Sequence, residues 1–238
     1  MTLYDEDGQK ISWPRDLPWS HSALGKFEDC PLLYGETTFN KTKYPFVENE
    51  AAKTGKEIHK KFEDYITVGT ELPNMLQPYG RLIDVICKDA KEVLPERDVN
   101  LTWELEPCSV FHYAVSYRGR IDLTVVRPDN DAIIFDFKTG RYPDDPDDQL
   151  EYQSVALLLE KPHVLRVHPY YIYTKHPKRR VSTVERDHLP FLAKKIIPRL
   201  MRMKEARDKK NFPPKPGVQC KWCPVASCKY NENRKLVG

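Results

Sequence analysis

Asp122, Asp136 and Lys138 are the residues whose types and spacing point most directly to chemistry. Residues 121–126 alternate as a strand, with Ile121, Leu123 and Val125 on one face and Asp122 on the other. Residues 132–138 alternate likewise, leaving Asp136 and Lys138 together on the side opposite Ile133, Phe135 and Phe137. Arg127-Pro128-Asp129-Asn130-Asp131 between them is a strong turn signal. A hairpin folded symmetrically about Asp129 sets Asp122 across from Asp136, and facing carboxylates destabilise a sheet unless a cation offsets them. Mg2+ or Mn2+, hard ions that take oxygen ligands, would do so, and two such ions could bridge a scissile phosphate. Lys138 is then placed to orient or help deprotonate an attacking water and to meet charge on phosphoryl oxygens. A surface hairpin carrying a cross-strand ion pair has the same pattern, so these residues need company.

The company lies upstream and downstream. In Gly55-Lys56-Glu57-Ile58-His59, His59 sits one position beyond Ile58, at the edge of an apolar stripe continued by Phe62, Tyr65 and Ile66, and imidazole beside carboxylates suits manganese as well as magnesium. Gln149 with Tyr152 or Gln153 shares one helical face just after the lysine strand, where these side chains could position substrate or Lys138. Of six cysteines, three form the run Cys220-x2-Cys223-x4-Cys228, too dense for independent disulfides and better read as metal ligation in a reducing compartment. Tetrahedral zinc or an iron–sulfur cluster needs a fourth thiolate. Cys30, in Glu28-Asp29-Cys30-Pro31, is the natural candidate, because Cys87 falls in an amphipathic helical pattern and Cys108 in a turn. Ligation would then staple the two ends of the chain together.

The elements that must position these residues follow from periodicity and punctuation. A short helix is expected near 21–29, capped by Ser20 or Ser22, then helices over 50–69 and 78–94. From residue 101 the period drops to two, predicting strands over 101–106, 110–117, 121–126 and 132–138 as an antiparallel meander, with a turn at Pro107-Cys108-Ser109. A helix over 147–160, a strand over 164–174 and a long basic helix over 189–210, kinked or broken near Pro198, complete a mixed α/β domain. We expect one domain over residues 1–238, its core at 51–210 and its cysteine region built from 1–50 and 211–238.

Composition narrows the classes. The 238 residues are 40% apolar and 31% charged, enough to bury a core and too apolar for a disordered chain. Residues 1–160 hold 18 Lys and Arg against 30 Asp and Glu, a charge of −12, whereas residues 161–238 hold 20 against 5, a charge of +15. A basic last third beside an acidic remainder suggests a polyanion-binding surface next to a cation-holding site. The acidic start, Asp5-Glu6-Asp7, and the lack of any apolar run of bilayer length argue for a cytoplasmic protein without a membrane partner. Lys53-Thr54-Gly55-Lys56 lacks the leading glycine of a phosphate-binding loop, so unwinding would need a partner such as a helicase, with a recombination or strand-annealing protein as a further companion.

Gly55-x3-His59, Gly119-x2-Asp122, Asp136-x-Lys138-Thr139-Gly140 and Gln149 together resemble the successive motifs of the RecB-like branch of the PD-(D/E)XK nuclease superfamily. One upstream cysteine with three clustered C-terminal ones is similar to its iron–sulfur subgroup, which includes CRISPR-associated RecB-like exonucleases, the AddB nuclease domain and phage relatives. The resemblance implies a restriction-endonuclease-like core, a mixed central sheet flanked by helices, and two-metal hydrolysis of DNA, with a preference for single-stranded ends. It implies metal ligation by His59, Asp122, Asp136 and the Phe137 carbonyl, catalysis by Lys138, and a [4Fe–4S] cluster, rather than structural zinc, on Cys30, Cys220, Cys223 and Cys228. A Tyr usually follows the Gln by four positions; here Gln153 stands there, with Tyr152 beside it. A glutamate on the preceding strand is frequent, and Glu104 or Glu106 could match it. The alternatives are a structure-specific endonuclease, which end-labelled linear substrates compared with closed circles would separate, and a cluster-stabilised DNA-binding module with weak catalysis.

Overall fold

A computed structural model describes residues 2–45, 48–140, 148–174, 179–181 (backbone only) and 183–232. Two N-terminal helices, α1 (His21–Asp29) and α2 (Pro31–Phe39), precede α3 (Glu50–Val68) and α4 (Gln77–Cys87). Three antiparallel strands follow, β1 (Glu92–Thr102), β2 (Val115–Val126) and β3 (Asp131–Lys138). Helix α5 (Gln149–Glu160) crosses over to β4 (Arg166–Tyr173), which runs parallel to β3. The short strands β5 (Arg179–Val181) and β6 (Val184–Glu185) pair with β4, and α6 (Leu189–Lys195) and α7 (Ile197–Asp208) close the order. The six-stranded mixed sheet with helices on both faces is the expected α/β architecture.

Local chemistry sets several boundaries. The Ser20 hydroxyl accepts from Ala23 N–H at the start of α1, and the Asn49 side chain accepts from Ala52 N–H at the start of α3. Gly69, at φ +75°, supplies the left-handed residue that ends α3. Pro198 falls in the first turn of α7, and the expected long helix breaks just before it, at Ile196.

The sequence reading fails mainly between residues 87 and 117. The helix expected to reach 94 ends at Cys87, and Glu92 already belongs to β1, an eleven-residue strand whose alternation is obscured by Pro95 and Arg97. The strands expected over 101–106 and 110–117 are instead the end of β1, a loop, and the start of one continuous β2. Helix α2 was not anticipated; Pro31 opens it, its fixed φ suiting a first helical turn.

Two apolar cores lie on the two faces of the sheet. On one face Phe135, Phe137, Leu123 and Val125 pack against Phe62 of α3 and Ile83 of α4. On the other, Ala132 and Ile134 pack against Val155 and Leu158 of α5 and Leu200 of α7. Ile121 departs from the alternation that groups it with Leu123 and Val125: it belongs to the α5-side core, as do Val99 and Leu101, whereas Val93 packs on the α3 side. Both β1 and β2 therefore change the face they bury at the same place, the row containing Glu96 and Asp122. Glu96 marks it with φ +45°, a left-handed conformation uncommon outside glycine.

Beyond that row β1 and β2 continue as a two-stranded arm braced by the N-terminal segment, whose Trp13 and Trp19 pack on Tyr117. Here Gly119 is required by packing: a Cβ on it would sit 2.5 Å from the Tyr117 hydroxyl and 2.8 Å from its ring. Tyr117 is fully buried and cannot yield, so Gly119→Ala is expected to destabilise the protein by about 1–3 kcal/mol. Thermal unfolding followed by circular dichroism checks this, an unchanged midpoint being the contrary result.

Candidate metal centre and active site

The change of face at Glu96 and Asp122 builds the site. Pro95 pairs with Leu123 and Arg97 with Ile121, which puts Glu96 opposite Asp122; Leu123 pairs with Phe135, which puts Asp122 opposite Asp136. Three carboxylates from three adjacent strands thus stand in one row at the end of the sheet. The ladder does not continue through Asp122, because its Oδ2 accepts the Phe137 backbone N–H at 2.7 Å. That bond fixes the carboxylate at the strand ends, where His59 of α3 meets it.

From α3, His59 reaches over the strand ends. Its Nε2 lies 2.7 Å from the Phe137 carbonyl oxygen, and its Nδ1 lies 3.4 Å from Asp122 Oδ1 and 3.7 Å from Glu96 Oε1. One ligand atom from each of His59, Glu96 and Asp122 lies within 4.8 Å of the others, the single such group among the described residues. Burial alone would pull the imidazole pKa down, but hydrogen bonding to Asp122 and Glu96 outweighs it and raises the value to about 10. The carboxylates therefore hold a positive charge where a divalent ion would sit.

From α5, Gln149 ties the other half together. Its Nε2 donates to Asp136 Oδ1 at 2.6 Å, and its Oε1 accepts from Lys138 Nζ at 2.7 Å. Lys138 Nζ also lies 2.8 Å from Asp136 Oδ2 and 5.4 Å from the centre of the Tyr171 ring. Asp136 is buried, and its Oδ2 has the lysine charge nearby but no aligned hydrogen-bond donor. Burial pushes its carboxyl pKa up, Lys138 opposes this, and Asp122 adds to it. A buried carboxylate oxygen without an aligned donor, beside two further carboxylates, an imidazole and a backbone carbonyl, is an oxygen-rich donor set that fits a hard divalent cation.

The acidic row opens into a cleft of about 380 Å³ lined by Gly55, Lys56, His59, Lys60, Glu63, Glu96 and Arg120. Lys56, Lys60 and Arg120 stand on its rim, each paired with a carboxylate, Glu48, Asp64 and Asp98 respectively, that an incoming phosphate could replace.

The structure thus gathers His59, Asp122, Asp136, the Phe137 carbonyl, Lys138 and Gln149. Three expectations fail. Glu104 pairs with Lys10 at 3.1 Å on the arm, and Glu106 is exposed in the loop beyond it; neither approaches the row, where Glu96 stands instead. Tyr152 packs edge-on against Trp19, its hydroxyl donating to Asp148 Oδ2 at 3.2 Å and accepting from Arg199 Nη1 at 3.2 Å, away from Asp136. Gln153 lies nearer, its Nε2 donating to the Arg120 carbonyl at 2.7 Å, and so fixes the backbone two residues before Asp122. Glu96 was missed because its strand was read as the end of a helix; the shared parity of Val93, Val99 and Leu101 was the available signal.

A second grouping lies outside the acidic row. Cys30, Cys220, Cys223 and Cys228 line one small pocket together with Val225 and Asn231. Lys215 N–H donates to Cys30 Sγ at 3.4 Å, Lys215 Nζ donates to the Glu28 carbonyl at 2.6 Å, and Asn231 Nδ2 donates to the Cys223 and Val225 carbonyls. Burial pushes the Cys223 thiol up, and Cys30, Cys228 and Cys220 push it the same way. No three of these sulfurs lie within 4.8 Å of one another. Cys87 on α4 and Cys108 in the arm loop lie outside this pocket. Glu28 links the two regions: it pairs with Arg199 of α7, which also pairs with Asp148, the residue immediately before Gln149.

Comparison with known proteins agrees with this geometry. No curated protein matches the chain by sequence. Among solved structures, SSO0001 is similar at TM-score 0.49 and 15% identity, covering 92% of this chain and 89% of its own. A candidate exonuclease from Eubacterium rectale is similar at TM-score 0.50 and 13% identity, covering 87% of this chain and 86% of its own. At 13% identity this second likeness speaks to the fold alone. A sequence model of the PD-(D/E)XK nuclease superfamily matches residues 18–228, a span that contains the acidic row, Lys138 and all four pocket cysteines, and the chain accordingly belongs to the PD-(D/E)XK nuclease superfamily.

Proposed function

We propose that this nuclease is a Mg2+- or Mn2+-dependent DNA exonuclease acting on single-stranded ends, of the RecB-like, iron–sulfur kind. The observation that carries the reading is the row Glu96–Asp122–Asp136, with Lys138 held over its end by Gln149. Asp122, Asp136, Glu96, His59 and the Phe137 carbonyl would hold the divalent ions, which when bound neutralise the phosphate and acidify water for attack. Lys138 has three N–H donors; Gln149 takes one and Asp136 orients the group, leaving a donor for the attacking water or a phosphoryl oxygen. Lys56, Lys60 and Arg120 on the rim bind the flanking phosphates, while Asp122 and Asp136 are themselves buried beneath. The preference for single-stranded ends rests on the resemblance of the motifs to RecB-like exonucleases. Action in recombination, repair or end processing follows from the same resemblance; a helicase or strand-annealing partner is inferred from the lack of a phosphate-binding loop, and a cytoplasmic setting from clustered thiols suited to a reducing compartment. Among the described residues no helix is long and apolar enough to cross a membrane.

The four pocket cysteines would hold a [4Fe–4S] cluster. The preference for the cluster over structural zinc rests on the resemblance of one upstream and three clustered cysteines to the iron–sulfur subgroup. The test of function is single-stranded DNA labelled at either end, incubated with manganese or with chelator, beside closed single-stranded circles. Mononucleotide release from linear DNA only, abolished by chelator, is expected. Cutting of the circles would replace the exonuclease reading with an endonuclease one, and inertness with every metal would overturn both.

A further inference from the structure

We propose that the tip of the β1–β2 arm is a stacking platform for unpaired bases of the nucleic-acid substrate. The proposal rests on the nuclease reading and adds contacts outside the acidic row. Strands β1 and β2 stay paired out to Thr102 and Val115, whereas β2 pairs with β3 only from Leu123 onward. The arm therefore overhangs the acidic row by the seven residues from Val115 to Asp122, about 24 Å at ~3.4 Å per residue. Its tip carries two of the most exposed apolar side chains in the protein, Phe111 at 94% and Tyr113 at 88%.

Tyr113 is held in an ordered array, with Phe111 projecting beside it. His112 N–H donates to the Ser109 carbonyl, and its Nδ1 accepts from Ala114 N–H at 3.1 Å, which fixes the imidazole. Tyr113 lies against that imidazole with ring centres 4.6 Å apart and meets Trp103 edge-on at 6.1 Å, while the Arg15 guanidinium lies 5.4 Å from the Trp103 ring. A fixed, exposed aromatic surface flanked by a cation is what base stacking uses, and every base offers a π-face to it.

The path from tip to acidic row favours a polyanion as the occupant. Arg118 and Arg120 are exposed on the arm while the flanking Tyr117 and Ile121 are buried, and Arg120 is held at 2.9 Å by Asp98, which a phosphate would displace. Period two sets the two arginines about 7 Å apart along the strand, and Arg120 itself lines the catalytic cleft. Glu104, the acidic residue nearest Trp103 in sequence, is taken up by Lys10. A single strand with its last phosphate over Asp122 and Asp136 would lay successive phosphates along Arg120 and Arg118 and bring bases to Tyr113 and Phe111.

The test is fluorescence anisotropy of labelled oligothymidylate with manganese withheld, for the parent, Phe111→Ala, Tyr113→Ala and Tyr113→Phe, beside hydrolysis of bis(p-nitrophenyl) phosphate with manganese. Each alanine variant is expected to bind at least about fivefold more weakly, the loss of one stacked base. Tyr113→Phe, which keeps the ring, is expected to bind like the parent, and all variants to hydrolyse the small diester equally. Alanine variants that bind as tightly as the parent would overturn the platform and leave the patch to a protein partner. Equal weakening on blunt duplex would also overturn it, since paired bases cannot stack there. A parent that hydrolyses the small diester but does not bind oligothymidylate contradicts the platform alone; a parent that does neither contradicts the nuclease reading with it.

Discussion

Asp136→Asn is expected to lower single-strand cleavage by about 10³-fold or more, the several kcal/mol that divalent-metal catalysis supplies, while leaving DNA binding and thermal stability near those of the parent. The reason lies in how Asp136 is held. Its carboxylate is buried, lacks an aligned donor on Oδ2 and faces Asp122, so its charge is a strain on the metal-free fold rather than a support for it. Asparagine keeps an acceptor for the Gln149 amide and removes that charge. Sites of this kind trade stability for activity, and a residue whose loss removes cleavage without lowering the melting midpoint marks one. Steady-state cleavage with saturating manganese, beside thermal unfolding of both proteins, measures the two halves. Cleavage retained within tenfold would remove Asp136 from the catalytic group.

Cys30→Ser is expected to do the reverse. If the four cysteines hold one cluster, ligation closes a loop of about 190 residues, and losing it removes about 5 kcal/mol by the chain-entropy model. For a chain of this size that is a fall of roughly 10–20 °C in the unfolding midpoint. Anaerobically purified parent should carry iron and visible absorbance, and Cys30→Ser should lose both. Residual cleavage at low temperature should still need Asp136, since the cysteines share no residue with the acidic row and meet it through Glu28, Arg199 and Asp148. A colourless parent binding zinc would replace the cluster with a structural zinc site. A midpoint within a degree or two of the parent would show that the thiolates hold nothing.

What could be read from the sequence followed the strength of local signals. The β2–β3 hairpin was legible because the turn at Arg127–Asp131 and two clean alternations fix its register, and register alone sets Asp122 opposite Asp136. Helix α3 and His59 were legible from the stripe Ile58, Phe62, Tyr65 and Ile66. Glu96 was not, because Pro95 and Arg97 interrupt the alternation of β1, and because its position depends on a left-handed residue stabilised only by tertiary pairing. The change of buried face at that row is likewise invisible to period two, which assumes each strand keeps one inward side. Tyr152 was drawn toward the site because it shares a helical face with Gln149; one turn along α5, however, Trp19, Asp148 and Arg199 claim its ring and hydroxyl.

The most direct measurement is the anomalous difference map of a crystal soaked in manganese. The predicted result is a manganese peak bonded to Asp122 and Asp136, with His59 or Glu96 completing its shell and Lys138 Nζ still on Gln149. A map without manganese at the end of β2 and β3, in crystals of protein that cleaves DNA, would contradict it.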